Sequence, residues 1–343
     1  MRTKITLGAL LAGLSAVCLH SQISTEGDVS RAVTNTSSIT VTGVFEIGRT
    51  AAGTLSVLEG GTLTSSTLSV GSNVGGLGSV NLSGGTLDIY YSLRLGSGGT
   101  GMMTFSSGTL NIGETLTMSA VNNGRSTFYM TGGRLTAQDA FITQGAGGNN
   151  SAATLSFLGG TAIFSSEIRF GNGTSSMLVD GGDVITGRLH GAFSGGTATL
   201  TLNSGSITLT DSSRQTNIGY SGSMALYVNG GSLVQNQSAY FVLGTTSATL
   251  TGTGTARFSS KADEITLGNV YVSSKGQMIV ALEGADFSGP VVTLAGLGKQ
   301  SGARFKLELD NYTATENKVV ELIRGGTASA YEDIVWEITG LGE

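Results

Sequence analysis

The chain has 343 residues, among them 55 glycines and one proline, and only 12% of them are charged. Glycine at this level without a Gly-X-Y period excludes collagen, and 39% apolar residues at regular spacing argue against simple disorder. A formal net charge of -5 argues against a nucleic-acid binder, which needs a basic face.

The first 21 residues read as a secretory signal. Arg2 and Lys4 form a positive start, Ile5 to Leu19 a short apolar stretch, and Leu19-His20-Ser21 a cleavage site before Gln22. The apolar stretch is too short to span a bilayer comfortably, so no membrane span is expected after cleavage. Cys18 is the only cysteine. A lipoprotein signal would need a small residue before it, where Val17 stands. Neither disulfides nor cysteine-held metals are then expected in the mature chain. Stability has to come from burial and backbone hydrogen bonds.

Residues 22–52 read as a lead-in and N-terminal cap. Within them Ile39, Val41, Phe45 and Ile47 look like an incomplete first coil. From residue 53 a unit repeats. In Ser79–Gly101 its apolar residues come in pairs two apart: Val80 and Leu82, Leu87 and Ile89, Leu93 and Leu95. A spacing of two puts each pair on one face of a strand. Ser83-Gly84-Gly85, Tyr90-Tyr91-Ser92 and Gly96 onward separate the pairs, giving three short strands and three corners.

The landmark Gly84-Gly85-Thr86-Leu87 returns as Gly60-Gly61-Thr62-Leu63, Ser107-Gly108-Thr109-Leu110, Gly132-Gly133-Arg134-Leu135 and onward to Gly230-Gly231-Ser232-Leu233. The interval is roughly 24 residues, a solenoid period. Repeat proteins grow by stacking units, so length does not set a domain count here. The inward set runs from Leu55 and Val57 to Leu250, Ala256, Phe258, Ile265 and Leu267, with an irregular coil at Met177–Gly191. Helix spacing is absent and glycine interrupts every coil. The expectation is an all-β parallel β-helix over residues 53–269, of about nine coils rising about 4.8 Å each.

From Val270 charge rises and the landmark stops. Gln277–Leu282, Arg304–Leu309, Lys318–Ile323 and Asp333–Ile338 read as strands, three of which alternate charged and apolar residues. Residues 270–343 are expected to form a C-terminal β cap with antiparallel strands over the last coil.

The unit Gly76–Leu87, followed by a strand closing on Leu95-Gly96, resembles autotransporter-associated β-strand repeats and the related repeats of PEP-CTERM-associated exported proteins. The resemblance covers roughly residues 40–268. It implies a right-handed β-helix exported to the outer surface. Two features depart from those families: no membrane β-barrel follows the repeats, and no Pro-Glu-Pro motif precedes Gly340-Leu341-Gly342-Glu343. Either the anchoring route that those families imply is missing, or the chain is a truncated or freely released version of such a protein.

Some β-helix proteins are polysaccharide lyases or hydrolases with clustered carboxylates and a basic residue on neighbouring coils. Asp180 and Asp183, flanking Gly181-Gly182, are the best acidic pair here. Corner residues are the simpler reading. Arg94 and Arg169 share an outward register about three coils apart. His190 is the sole histidine outside the signal, without the partners of a zinc site or triad. Gly75–Ser79 begins like a nonapeptide calcium repeat but lacks its aspartate. Thr197, Thr199 and Thr201 do not recur at one register as an ice-ordering array would require. No catalytic, metal or cofactor site is assigned, and no cofactor is expected. The sequence points to a secreted, non-enzymatic structural or adhesin-like rod of the bacterial cell surface or extracellular matrix. Its partners would be extracellular polysaccharide or cell-surface components, not nucleic acid. A carbohydrate-active β-helix enzyme is the alternative.

Overall fold

Alternation of apolar and polar residues over four to eight positions lets a strand bury one side only, and glycine-marked corners return each strand to the same side of the next turn. The outcome, in a computed structural model describing residues 23–29, 37–121, 123–143, 150–193, 195–284, 289–313 and 319–340, is a parallel β-solenoid of about ten turns. The signal sequence, Cys18 and His20 lie outside the described residues.

Each full coil contributes one strand to each of three faces. Leu77–Ile89 runs along the first face and, past a bulge at Ser83, along the second, and Ser92–Leu95 forms the third. On the first face one inward column runs unbroken from Leu55 through Val80, Met103 and Phe128 to Met278, Phe305 and Trp336. Leu63, Leu87, Leu110 and Leu135 stack likewise on the second face. Leu68, Leu93, Leu116 and Ala140 do so on the third. Phe105, Phe128, Phe157 and Phe164 are among the largest side chains of this core and are fully buried. Each such burial contributes about 1.5–3 kcal/mol before entropy.

The corner closing the third strand brings backbones close together. Gly96 sits at φ +64°, and a Cβ there would lie 2.1 Å from the Arg125 carbonyl oxygen of the next coil but one. Two other coils put Ser119 and Thr143 at this corner, also left-handed, with φ 51° and 57°. Ser119 is held by its hydroxyl, which donates to the Ala152 carbonyl at 2.7 Å.

The structure differs from the sequence expectation at both ends. Beyond residue 270 the strands do not turn antiparallel. Gly276–Gly284, Arg304–Tyr312 and Trp336–Thr339 continue the first face in parallel register, and Val292–Lys299 stacks on Glu264–Val272. The inward positions remain apolar there, and the charges that suggested another architecture occupy outward ones. One helical turn, Ala328–Tyr331, lies among these coils. Antiparallel pairing instead occurs at the other end, where Ile23–Gly27 lies against the strand Ala52–Leu58 and buries Ile23 completely. The first coil expected at Ile39, Val41, Phe45 and Ile47 is present, with residues 38–47 stacked in parallel on Thr62–Val70.

Leu250 is half-buried in the connection before Thr253–Ser259, whose inward positions are Gly254, Ala256 and Phe258. The irregular coil carries Thr186 at an inward position between Phe164 and Leu209.

Candidate functional site

On the third face, positions between the inward ones form outward columns. Asp139, Glu167 and Arg188 stack in one, and Phe141, Arg169, His190 and Asn217 in the next. This brings charged and aromatic side chains together on adjacent coils.

Glu167 is 3% exposed. Arg188 reaches its Oε2 with Nε at 2.8 Å and Nη2 at 2.6 Å, and Arg169 pairs with Oε1. Burial alone would raise the Glu167 carboxyl. The hydrogen bond from Arg188 and the charges of Arg188 and Arg169 outweigh it and hold the carboxyl below its ordinary range. The group is therefore ionised at neutral pH, with both oxygens occupied. It serves as the counter-ion that lets two guanidinium groups sit on one face.

The Arg169 guanidinium carbon lies 5.0 Å from the Phe141 ring centroid and 5.1 Å from that of Phe193, a cation–π arrangement on both. Phe193 stacks on Tyr220 with ring centroids 5.6 Å apart. His190 stands nearly perpendicular to both rings, 5.1 Å from each centroid. Both its ring nitrogens are buried without a hydrogen-bond partner. Burial and the charge of Arg188 push the imidazole down to about 4, with Glu167 pulling the other way, so His190 is neutral at physiological pH. The cluster reads as a cross-coil brace with an aromatic lid.

A second brace crosses the first face. Arg257 donates from Nη2 to Glu283 at 2.6 Å, from Nε to Glu308 at 2.7 Å and from Nη1 to Asn229 at 3.3 Å. Lys261 and Lys306 flank the two carboxylates.

Asp180 and Asp183 are exposed at a corner between the first and second faces. Each carboxylate accepts a hydrogen bond from the next coil, Ser204 to Asp180 at 2.8 Å and Ser206 to Asp183 at 2.7 Å. Neither Arg94 nor Arg169 faces them. Those two arginines do share one outward column three coils apart, through Thr117 and Phe141. His190 lies in the brace just described. Gly75 occupies a corner at φ +86°. Thr197, Thr199 and Thr201 have Ser223, Ala225 and Tyr227 on one side and Thr174, Ser176 and Leu178 on the other, so no threonine array extends from them. Among the described residues no three of His, Cys, Asp and Glu group to hold a metal ion. No described helix is long and apolar enough to cross a membrane.

The sequence reading missed the association of Glu167, Arg169, Arg188 and His190. Its signal was Glu-x-Arg at 167–169 followed one coil later by Arg-x-His at 188–190. Thr186 and Gly187 obscured that register.

The architecture defines a parallel β-solenoid protein. No protein family, curated protein or solved structure was found to match the chain.

Proposed function

We propose that the protein is an exported, non-enzymatic rod of the cell surface or extracellular matrix, associating with polysaccharide through weak contacts repeated along its length. The observation carrying this reading is the outward columns of the second face. Ser38, Thr62, Thr86 and Thr109 stand on successive coils in register. Beside them Asn111 donates to Asp88 at 2.7 Å and Thr136 donates to Asn111 at 2.9 Å. Hydroxyl and amide groups at the coil spacing of about 4.8 Å offer the same modest contact on several successive coils. On a rigid scaffold such contacts add through effective concentration. Export is the reading of residues 1–21, and the resemblance to surface repeats agrees with it.

A carbohydrate-active enzyme is the second reading, because Glu167, Arg169, Arg188 and His190 do gather acid and base on one face. Against it, the carboxylate is ionised and fully paired, and the imidazole nitrogens are covered. Both groups are held in states that favour bracing over proton transfer. Incubating the purified chain with a polysaccharide panel while measuring binding and reducing ends tests the proposal. Binding without new reducing ends is expected. Release of reducing ends would overturn the non-enzymatic reading, and absence of binding would overturn the adhesive one.

A further inference from the structure

Two outward columns of the third face change character near the C-terminal end. One passes from Tyr240 to Asn269 to Gly296, and the other from Val242 to Tyr271 to Gly298. Gly296 and Gly298 lie within the strand Val292–Lys299 and neither has a positive φ. Backbone conformation therefore does not require glycine at either. Glycine inside a strand weakens it, and commonly marks a place where something approaches the backbone closely.

These glycines make room for side chains of the neighbouring coil, which occupy the positions a Cβ would take. A Cβ on Gly298 would lie 2.7 Å from Tyr271 Cδ2, and one on Gly296 would lie 2.6 Å from Asn269 Oδ1. The tyrosine ring and the amide lean over the strand whose side chains are missing. The result is a cleft of about 490 Å³, with Gly326 and Thr327 from the following coil also at its edge. Tyr331 steadies that edge by donating its hydroxyl hydrogen to the Gly325 carbonyl.

The lining contains no charged side chain. The phenol groups of Tyr240 and Tyr271 and the Asn269 amide make no hydrogen bond within the described protein, so their polar atoms are free for a ligand. Tyrosine joins an apolar ring to a polar tip, and a neutral pyranose does the same with its C–H face and its hydroxyls. Binding sites of 300–1,000 Å³ typically combine apolar walls with a few polar groups that fix orientation.

We infer that the cleft between Tyr240, Asn269 and Tyr271 and the glycine floor at 296 and 298 is a binding subsite for a neutral hexopyranose unit of a polysaccharide chain. The inference rests on the polysaccharide association proposed above and adds to its second-face columns one discrete site on the third face. Sugar stacks against tyrosine, and the amide hydrogen-bonds to its hydroxyls. A uronate gains nothing, because no cation faces the cleft.

The test uses calorimetric titration of the full chain with neutral hexose oligosaccharides and with uronate oligosaccharides of equal length. It compares wild type, Tyr271→Ala, Gly298→Val and the remote control Tyr90→Ala. Gly298→Val keeps every lining side chain but fills the floor, and a β-branched residue suits an outward strand position. Circular dichroism confirms that each variant is folded. Neutral oligosaccharides are expected to bind wild type and Tyr90→Ala equally, and both cleft variants at least about tenfold more weakly, a difference of about 1.4 kcal/mol. Neutral-sugar binding that is unchanged in both cleft variants, or a preference for uronates, overturns the subsite while leaving the adhesive rod standing. Failure of wild type to bind any oligosaccharide or polysaccharide overturns both.

Discussion

Replacing Gly96 with alanine should damage the stack far more than replacing Gly43, although both glycines have positive φ. At Gly96, φ +64°, a left-handed conformation costs an L-residue about 1–2 kcal/mol. The added Cβ also falls 2.1 Å from the Arg125 carbonyl oxygen, a backbone atom that cannot rotate away. Relief requires the coils to part at this corner. That stretches the bond from Gly96 N to Val70 O at 2.8 Å, or the bond from Arg125 N to Gly99 O at 2.9 Å. A buried backbone group left unpaired costs about 1–3 kcal/mol, so the total is about 2–5 kcal/mol. Gly43, φ +97°, has nothing within 4 Å of its would-be Cβ. Its substitution should cost only the conformational share, about 1–2 kcal/mol. Repeat arrays need not unfold in one step, so the suitable measurement is hydrogen exchange of backbone amides in the coils around Gly96. Gly96→Ala should accelerate exchange there and leave distant coils protected. Equal destabilisation by the two substitutions would refute the argument that close approach, and not φ alone, fixes glycine at position 96.

The third-face brace gives two further expectations. Glu167→Gln leaves Arg169 and Arg188 without their counter-ion and should cost about 3–5 kcal/mol, read as a lowered midpoint in urea at pH 7; an unchanged midpoint would mean the arginines find other partners. His190 should make stability pH-dependent. Its folded value of about 4 lies below the ordinary 6.5, so the unfolded chain binds the proton more readily between those values. Stability is then full above pH 6.5 and falls by about 1.4 kcal/mol per pH unit towards pH 4, about 3 kcal/mol in all. Glu167, with its carboxyl held low, loses its contribution in the same direction as pH falls further. Urea titrations of wild type and His190→Gln across this range should diverge in acid, and parallel curves would count against the burial argument. In the core, Phe105→Ala, at a side chain with 0% exposure, should cost about 3–5 kcal/mol. Tyr90→Ala, 71% exposed, should stay within about 0.5 kcal/mol of wild type, both by thermal denaturation.

Much of the fold was legible because a period-two strand leaves little choice. Once Val80 and Leu82 face inward, Leu55 and Met103 must stack above and below them, and they do. Leu250 was misread because hydrophobicity was taken as burial, whereas its connection lies outside any strand. The C-terminal coils were misread because outward charges such as Glu283 and Glu308 were mistaken for a change of architecture; they pair with Arg257 across coils of the same stack. The third-face brace was hidden for another reason. Its residues are separated by whole coils and meet only when register is known, which local patterning does not supply where Thr186 replaces an apolar residue. The cleft beside Tyr271 was hidden likewise, since Gly296 and Gly298 acquire meaning only from what leans over them.

The coil-on-coil register has a mechanical consequence. Hydrogen bonds between coils point along the rod, so tension between its ends loads them one coil at a time, by peeling. A detached coil of about 24 residues frees about 80 Å of contour in exchange for about 4.8 Å of axial rise. The rod is thus stiff until a terminal coil yields, and afterwards pays out slack one coil length at a time. Under load it would lengthen many-fold while its remaining coils keep their shape, and single-molecule extension would record this as discrete steps, each set by the length of the coil released.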